Sequence, residues 1–268
     1  MVRKDFEIMA PVGSWESLRA AIQAGADSVY FGVDKLNMRS QSTINFTFDD
    51  FKEIVSICNE HQVKTYLTLN TVMYDQDMQL MRDLIDSARE HQITAVIASD
   101  LAAISYAFEK RVEVHISTQQ SISNFETVKF YSKFADVVVL ARELSLEQVA
   151  QIARSIEAEN VCGPSGKPLR LELFVHGALC MAISGKCYLS LHEYNKSANR
   201  GSCLQLCRRA YIVSDKETER ELEIDNQYIM SPKDLCTIDF LNVLLDAGVK
   251  VLKIEGRARS AEYVKTVI

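Results

Sequence analysis

The stretch that decides the fold is "ADVVVLARELSLEQVAQIARSI", residues 135–156. It begins with a continuous apolar run at 137–140, and after a polar break its apolar residues recur at helical spacing. A strand made only of apolar residues is typical of a parallel sheet covered on both faces. The stretch therefore predicts one strand–helix unit of an α/β protein.

The same alternation recurs about eight times along the chain. The candidate strands are Phe6–Ala10, Ser28–Phe31, Lys64–Asn70, Ala95–Ser99, Val112–Thr118, Val137–Ala141, Leu169–Val175 and Val251–Ile254. The candidate helices lie near Trp15–Ala24, Asp49–His61, Asp77–His91, Leu101–Glu109, Phe125–Lys133, Leu146–Ile156 and Ile238–Ala247. Eight such units in 268 residues predict a single TIM-like (β/α)8 barrel.

A doubly wound open sheet is the alternative fold. Its nucleotide-binding form would carry G-x-G-x-x-G in the first turn, and "APVGSWESL" at 10–18 lacks that pattern. The segment "GPSGKP" at 163–168 does not have P-loop spacing, so we interpret it as the connection leading into the seventh strand.

Composition limits the classes of protein to consider. The chain has a net charge of -6, no run of eighteen apolar residues and no hydrophobic signal region in "MVRKDFEIMAPVG", so we expect a soluble, cytoplasmic protein without a membrane partner. Seven cysteines in such a chain favour metal binding, catalysis or burial over disulfides. The sequence stops within the expected eighth helix, at "SAEYVKTVI", and we expect a further C-terminal domain in the natural protein.

Polar side chains follow several of the predicted strands. In a barrel the chemistry lies on the loops after the carboxyl ends of the strands. The polar residues there are Asn37, Arg39, Asn70, His115, Thr118, Gln119, Arg142, Glu143, Lys253, Glu255 and Arg257. A ring of amides and cations predicts a pocket for a polar, anionic ligand.

A long insertion, at about 178–233, follows the seventh strand and holds four of the seven cysteines. Cys180, Cys187, Cys203 and Cys207 are spaced C-x6-C-x15-C-x3-C, whereas Cys58 and Cys162 are explained as small buried hydrophobes. Structural zinc sites usually use C-x2–4-C pairs, which only the second pair matches, and an iron–sulfur cluster uses four thiolates. The spacing alone leaves zinc and iron–sulfur open.

The same insertion is locally basic. Between 186 and 209 its cations are Lys186, Lys196, Arg200, Arg208 and Arg209, against the single acid Glu193, and Tyr188, Tyr194 and Tyr211 lie within or beside it. Cations that bind phosphate and aromatic rings that stack an extruded base suit an RNA-modifying enzyme. We assign Lys196, Arg200, Arg208 and Arg209 to RNA binding, with an ordinary solvated loop as the alternative.

Peptidase motifs are weak. "HEYNK" at 192–196 lacks the second histidine of H-E-x-x-H, and the chain has no G-x-S-x-G. His176 with Cys180 is the remaining candidate for a base and a nucleophile.

Four segments closely resemble the U32, collagenase-like, peptidase family: "ELFVHGALCMAISGKCYLS", "ANRGSCLQLCRRAY", "YIMSPKDLC" and "LKIEGRARSAEYV". The most specific part is Glu172-x-Phe174-x2-Gly177-Ala178-x-Cys180 with Gly185-x-Cys187-x-x-Ser190, and "RELSLEQV" at 142–149 resembles the family's sixth strand–helix unit. The resemblance covers nearly the whole chain.

The resemblance implies an oxygen-independent hydroxylase rather than a protease, acting on tRNA, on 23S rRNA or on a quinone precursor. The tRNA branch is the most similar, which implies formation of 5-hydroxyuridine at the wobble position, a [4Fe–4S] cluster and prephenate as the source of the hydroxyl. Cys180, Cys187, Cys203 and Cys207 would bind the cluster, with Cys236 as an alternative fourth ligand.

The anionic cosubstrate then requires cations at the barrel mouth. We assign Arg39, Lys253 and Arg257 to this role, with His115 and Gln119 orienting the ligand. A U32-type peptidase is the alternative function.

Overall fold

The structure, a computed structural model, describes residues 3–33, 35–41, 46–222 and 230–268. Its strands are β1 (Glu7–Pro11), β2 (Ser28–Phe31), β3 (Lys64–Leu69), β4 (Ala95–Ala98), β5 (Glu113–Ile116), β6 (Val137–Val139), β7 (Arg170–Gly177), β8 (Val213–Ser214), β9 (Glu221–Leu222), β10 (Leu235–Cys236) and β11 (Val249–Ile254). Strands β1 to β7 and β11 are parallel and close into a barrel, because β6 pairs with β7 and β11 pairs with β7 and β1. The predicted (β/α)8 barrel is confirmed, and each predicted strand lies within two residues of its expected bounds.

Helices surround the barrel. They are α1 (Trp15–Ala24), α2 (Asp50–Glu60), α3 (Met78–Glu90), α4 (Leu101–Glu109), α5 (Phe125–Tyr131), α6 (Leu146–Ala158), α7 (Leu189–Tyr194), α8 (Leu241–Asp246) and α9 (Ala261–Val267). The helix predicted at Ile238–Ala247 is shorter than expected, since its first turn, Ile238–Phe240, is a 3₁₀ turn. The segment "GPSGKP" connects α6 to β7, as predicted.

Local sequence explains where these helices begin and which face they bury. Ser14 and Ser145 each cap a helix with a side-chain oxygen and form reciprocal capping boxes. In α3 the buried residues are Met81, Leu84, Ile85 and Ala88, which form one apolar stripe against the barrel.

Two apolar layers result. The larger lies between strands and helices, and a smaller one fills the barrel interior. The interior residues are Met9, Tyr30, Tyr66, Ala95, Ile97, Val137 and Val251. The barrel is therefore a packed core, and ligands have access only at its two ends.

The amino-terminal end of the barrel is closed by charges that pair with one another. The buried Glu7 carboxylate accepts hydrogen bonds from Tyr66 Oη at 2.6 Å, Lys64 Nζ at 2.6 Å and Arg170 at 3.0 Å. Burial alone would raise the pKa of Glu7, but Lys64 and the Tyr66 hydroxyl outweigh burial and lower it to about 2. This end of the barrel is built for stability.

A pH dependence of folding follows from Glu7. Its pKa is about 2 in the folded chain against an ordinary 4.5, so its stabilisation is present above pH 4.5 and is lost as the pH falls toward 2. The difference corresponds to about 3 kcal/mol. Urea titrations at pH 6 and pH 2.5 should show that Glu7→Gln reduces the acid-induced loss of unfolding free energy. An equal loss in both proteins would contradict this assignment.

The insertion between β7 and β10 is anchored to the barrel mouth. Arg200 forms an ion pair with Asp77, donates to the Val72 carbonyl at 2.8 Å and stacks on Tyr74, with its guanidinium carbon 4.0 Å from the ring centre. The backbone at Gly201, with φ +80°, packs so closely on the loop after β2 that a Cβ would lie 2.4 Å from the Asn37 carbonyl oxygen. Residues 223–229 of the insertion lie outside the described part of the chain.

The insertion ends by extending the sheet. Strand β10 adds antiparallel to β7, where Cys236 pairs with His176. None of the helices in the described ranges combines the length and apolar character that a bilayer-spanning segment requires.

Candidate active site

Arg257 is a buried cation at the carboxyl end of the barrel. Its Nη1 donates to Asn37 Oδ1 at 3.1 Å and to Thr68 Oγ1 at 2.9 Å. Burial, together with the neighbouring charge of Arg39, lowers the pKa of Arg257 to about 10, so the side chain remains charged at neutral pH. Within the described residues no carboxylate forms an ion pair with it.

Arg39 connects this cation to the cysteine loop. It forms an ion pair with Glu255 at 2.8 Å, and both side chains are largely shielded from solvent. Burial would lower the pKa of Arg39, but Glu255, and then Cys180 and Cys203, raise it above its ordinary value. Two of the predicted cluster ligands therefore lie close enough to Arg39 to contribute to this rise in its pKa.

A chain of buried charges runs from Lys253 into the barrel. Lys253 Nζ donates to Glu172 Oε1 at 2.6 Å, and the other oxygen of Glu172 lies 3.6 Å from His115 Nδ1, which is too long for a hydrogen bond. His115 Nε2 lies 3.2 Å from Glu113 Oε1. Burial would lower the pKa of His115 and raise that of Glu172, but ionic partners reverse both shifts.

This arrangement changes the role assigned to His115. It is fully buried between the carboxylates of Glu113 and Glu172 and does not line either of the two cavities at the ends of the barrel, so it lies behind the mouth and not in it. Glu172, predicted only as part of the family motif, has its carboxylate between Lys253 and His115. Its position in a strand of apolar residues, "LRLELFV", was the available signal, because a lone carboxylate there needs a partner.

Gln119 lies apart from His115, in the 3₁₀ turn that follows β5. Its Oε1 accepts from Ser117 Oγ and lies 3.5 Å from Asn70 Nδ2. His115 and Gln119, both expected to orient the anionic ligand, therefore lie in different places. His115 is on β5 and buried inside the barrel, whereas Gln119 is in the following turn at the barrel mouth.

The four cysteines of the insertion are free thiols that influence one another. Burial raises the pKa of Cys207, as do Cys203, Cys180 and Cys187, while Arg208 opposes the shift. Arg142, predicted to lie at the mouth, donates to Ser184 Oγ at 2.7 Å and so ties the cysteine loop to the end of β6.

One loop supplies four thiols, the donor type and number that a four-thiolate group requires. Arg208 lowers the pKa of Cys207, and Cys180 and Cys203 raise that of Arg39, so two cations lie near these thiols. Within the described residues, no three His, Cys, Asp or Glu side chains converge as closely as ligands of one metal ion.

The other three cysteines are separate from this set. Cys58 is fully buried in α2, and burial raises its pKa to about 12. Cys236 is exposed on β10 and is not among the groups that shift the pKa of Cys207. Cys162 is exposed, which corrects its interpretation as a buried hydrophobe, since it lies in the turn before β7.

The basic residues of the insertion divide into two groups. Arg200 is bound to Asp77, and Arg208 lies 3.3 Å from Asp234, so acids distant in sequence neutralise both. Arg200, predicted to bind RNA, is held by Asp77 and the Val72 carbonyl and so anchors the insertion to the barrel. Lys196 and Arg209 are exposed, with Arg209 donating to Tyr194 Oη at 3.1 Å.

His176 and Cys180 do not form the base and nucleophile pair of a cysteine protease. His176 lies on β7 with its ring centre 6.0 Å from that of Tyr263, and no hydrogen bond joins it to Cys180 among the described residues. Ser87 Oγ lies 3.3 Å from His91 Nδ1, but both residues are at the carboxyl end of α3, at the end of the barrel opposite the mouth.

A closed parallel barrel with charged groups and a cysteine loop at its carboxyl end belongs to the class of (β/α)8 barrel enzymes. The family model for peptidase family U32 matches residues 13–268, and the chain belongs to that family. The U32 peptidase Mk0906 has the same fold, with a TM-score of 0.61, 13% identity, and coverage of 94% of this chain and 93% of that one.

Relatives in the family carry two kinds of name. A collagenase of Porphyromonas gingivalis (strain W83) is 65% identical, over 98% of this chain and 64% of its own length. The tRNA hydroxylation protein P1 of Bacillus subtilis (strain 168) is 34% identical, over 100% of this chain and 62% of its own length. The chain thus spans about three fifths of the length of these relatives.

Proposed function

We propose that the protein is an iron–sulfur RNA hydroxylase that converts the wobble uridine of tRNA to 5-hydroxyuridine without oxygen, taking the hydroxyl from prephenate. The observation that carries the proposal is that the loop bearing four free thiols packs on the same barrel mouth as the buried cations Lys253 and Arg257. Relatives named for tRNA hydroxylation support the same assignment.

The cations suit a cosubstrate with carboxylates. Among the described residues, Arg39 pairs with Glu255 and Lys253 pairs with Glu172, whereas no carboxylate forms an ion pair with Arg257. A guanidinium can bind a carboxylate through two parallel hydrogen bonds, so Arg257 is the cation best suited to the ligand. Glu172 holds the Lys253 ammonium at 2.6 Å, which fixes the direction in which that cation faces the ligand.

Cys180, Cys187, Cys203 and Cys207 would hold the cluster. With four thiolate ligands it has no open coordination position, so it would supply electron transfer or electrostatic tuning. Because Arg39 and Arg208 act on these thiols, they would also balance the negative charge of the ligands.

A peptidase is the second candidate, because the collagenase of P. gingivalis is 65% identical. The mouth lacks the arrangement that nucleophilic proteolysis needs: both ring nitrogens of His115 face carboxylates, and His176 activates no thiol among the described residues. These contacts favour the hydroxylase.

Anaerobic purification separates the two candidates. The hydroxylase should be brown, with about four irons and as many sulfides per chain, and should not cleave gelatin. Metal and acid-labile sulfide assays, followed by a gelatin assay with and without a chelator, measure this. Stoichiometric zinc without sulfide would contradict the cluster, and gelatin cleavage that survives chelation would support the peptidase.

RNA binding should depend on the exposed cations and not on the paired ones. Replacing Lys196 and Arg209 together by glutamine should lower the slope of log K against log salt by about 1.4 to 1.8, since each lost phosphate contact removes about 0.7 to 0.9. Filter binding of tRNA over a salt series gives the slope. The control, Arg19→Gln with Lys52→Gln on exposed faces of α1 and α2, removes the same charge. Equal slopes of log K against log salt in the two double variants would show that the RNA does not contact Lys196 and Arg209.

A further inference from the structure

A second feature of the mouth is a cavity of about 320 Å³ between the barrel and the insertion. Its barrel side is formed by the ends of β3, β4 and β5, and its other side by Gly185, Lys186 and Asn199. Gly185 has φ +72°, and a Cβ there would lie 3.2 Å from the Gln119 side chain. The loop that carries Cys187 therefore passes close to Gln119 and forms one wall of the cavity.

Amide groups line this cavity. Asn70 is held by accepting from the Met38 amide at 3.2 Å, and Gln119 Oε1 is occupied by Ser117 and Asn70. The Gln119 Nε2 donors have no partner among the residues that the structure describes. Asn199 also lines the cavity, and its Oδ1 is buried without a hydrogen-bond partner.

A donor without a partner and a buried acceptor without a partner form a pattern that the edge of a nucleobase can match. Uracil offers O4 as an acceptor beside the N3–H donor, and cytosine offers N3 as an acceptor beside its amino donor. A buried polar atom left unpaired is costly, so a ligand that satisfies Asn199 Oδ1 gains free energy on binding. An aliphatic or fully anionic ligand would leave this acceptor unpaired.

The remaining walls suit a flat ring. Val72 and Leu101 line the cavity and are 46% and 62% exposed, so two apolar side chains border its open space. Lys186 stands at the rim, exposed, and forms no ion pair within the described ranges. A flipped nucleotide needs apolar faces for stacking, amides for its base edge and a cation for its phosphate.

We propose that this cavity receives the pyrimidine base of the RNA substrate, turned out of its stack, with Gln119 and Asn199 reading its edge. The proposal rests on the proposed RNA-modifying function and adds the place where the base binds. Asn37, a partner of Arg257, directly precedes Met38 of this cavity, and Cys187 directly follows Lys186. The base would thus lie between the cationic centre and the cysteine loop.

A larger cavity, of about 1050 Å³, lies at the amino-terminal end of the barrel. Its buried carboxylate, Glu7, is already satisfied by Lys64, Tyr66 and Arg170. Among the described residues, no side chain that lines it has a buried polar atom without a hydrogen-bond partner, so the smaller cavity is the better base site.

Binding of a single nucleotide tests the cavity without requiring catalysis. Uridine 5′-monophosphate should give saturation-transfer NMR signals from its H5 and H6 protons with the whole protein. Gln119→Met removes the donors at similar volume and should weaken binding about tenfold, the effect of losing an edge contact. Leu101→Trp, at an exposed position, should block the cavity. The control, Gln151→Met on the outer face of α6, should leave the signal unchanged.

Each result has a defined meaning. Loss of signal in the two cavity variants alone supports the proposal, and an equal response to cytidine 5′-monophosphate supports a pyrimidine site that accepts either base. Absence of signal in the wild type, adenosine 5′-monophosphate binding as well as uridine 5′-monophosphate, or no effect of either variant would overturn it. If the protein binds the nucleotide but tRNA stays unmodified, the base site stands and the hydroxylase proposal fails. If tRNA is modified but the protein does not bind the nucleotide, the hydroxylase proposal stands and the base site is wrong.

Discussion

Cys187→Ala is expected to yield a colourless protein, without iron or sulfide, after anaerobic purification. Cys187 lies beside the loop that packs on Gln119, and its thiol is one of the three that act on Cys207. A cluster held by four thiolates loses a quarter of its protein ligands in this variant and also loses its fixed place on the loop. Iron and acid-labile sulfide per chain are the quantities to measure.

The controls use cysteines that the structure separates from this set. Cys162→Ala, at an exposed turn, and Cys58→Ala, in the core of α2, should keep their iron, although the second should unfold more easily because it leaves a cavity. Cys207→Ala and Cys236→Ala identify the fourth ligand, and only the first should lose iron. Equal iron contents in all five variants would refute the separation of ligand and core cysteines.

Lys253→Met should cost about 3 to 5 kcal/mol of unfolding free energy, because it leaves the buried Glu172 carboxylate without its cation. Replacing both residues, Lys253→Met with Glu172→Met, should cost much less than the sum of the single changes. Urea unfolding of the two single variants and the double variant measures this coupling. Lys129→Met, which breaks an exposed pair with Glu159, should leave the unfolding free energy nearly unchanged, because solvent screens that pair.

The same variants separate stability from function. The double variant should fold but should not use an anionic cosubstrate, since it lacks the buried ammonium group at the mouth. Additive losses in the single and double variants would show that Lys253 and Glu172 do not act as a pair.

Local patterns were enough to predict the barrel. Each strand of the β/α units carries its own apolar run, as 137–140 does, and a parallel barrel requires little more than eight such units. Chain order also placed Arg39, Lys253 and Arg257 at one end, because the carboxyl ends of all parallel strands lie on the same side.

Pairings between distant residues could not be predicted in this way. Arg200 is 123 positions from Asp77, and Arg208 is 26 positions from Asp234, so a count of charges within 186–209 missed both acids. Strand β10 is only two residues long, too short for a periodic signal. The cavity beside Gln119 is formed by the ends of three strands and a loop of the insertion. These segments are distant in the sequence and lie together only in the folded chain.

The nucleoside composition of tRNA tests the central claim most directly. Total tRNA from cells that lack this gene and every other member of peptidase family U32 should contain no 5-hydroxyuridine or its derivatives by mass spectrometry. The intact gene should restore them, and the gene carrying Cys187→Ala should not. Unchanged 5-hydroxyuridine in the deleted cells, or its restoration by the Cys187→Ala gene, would contradict the account.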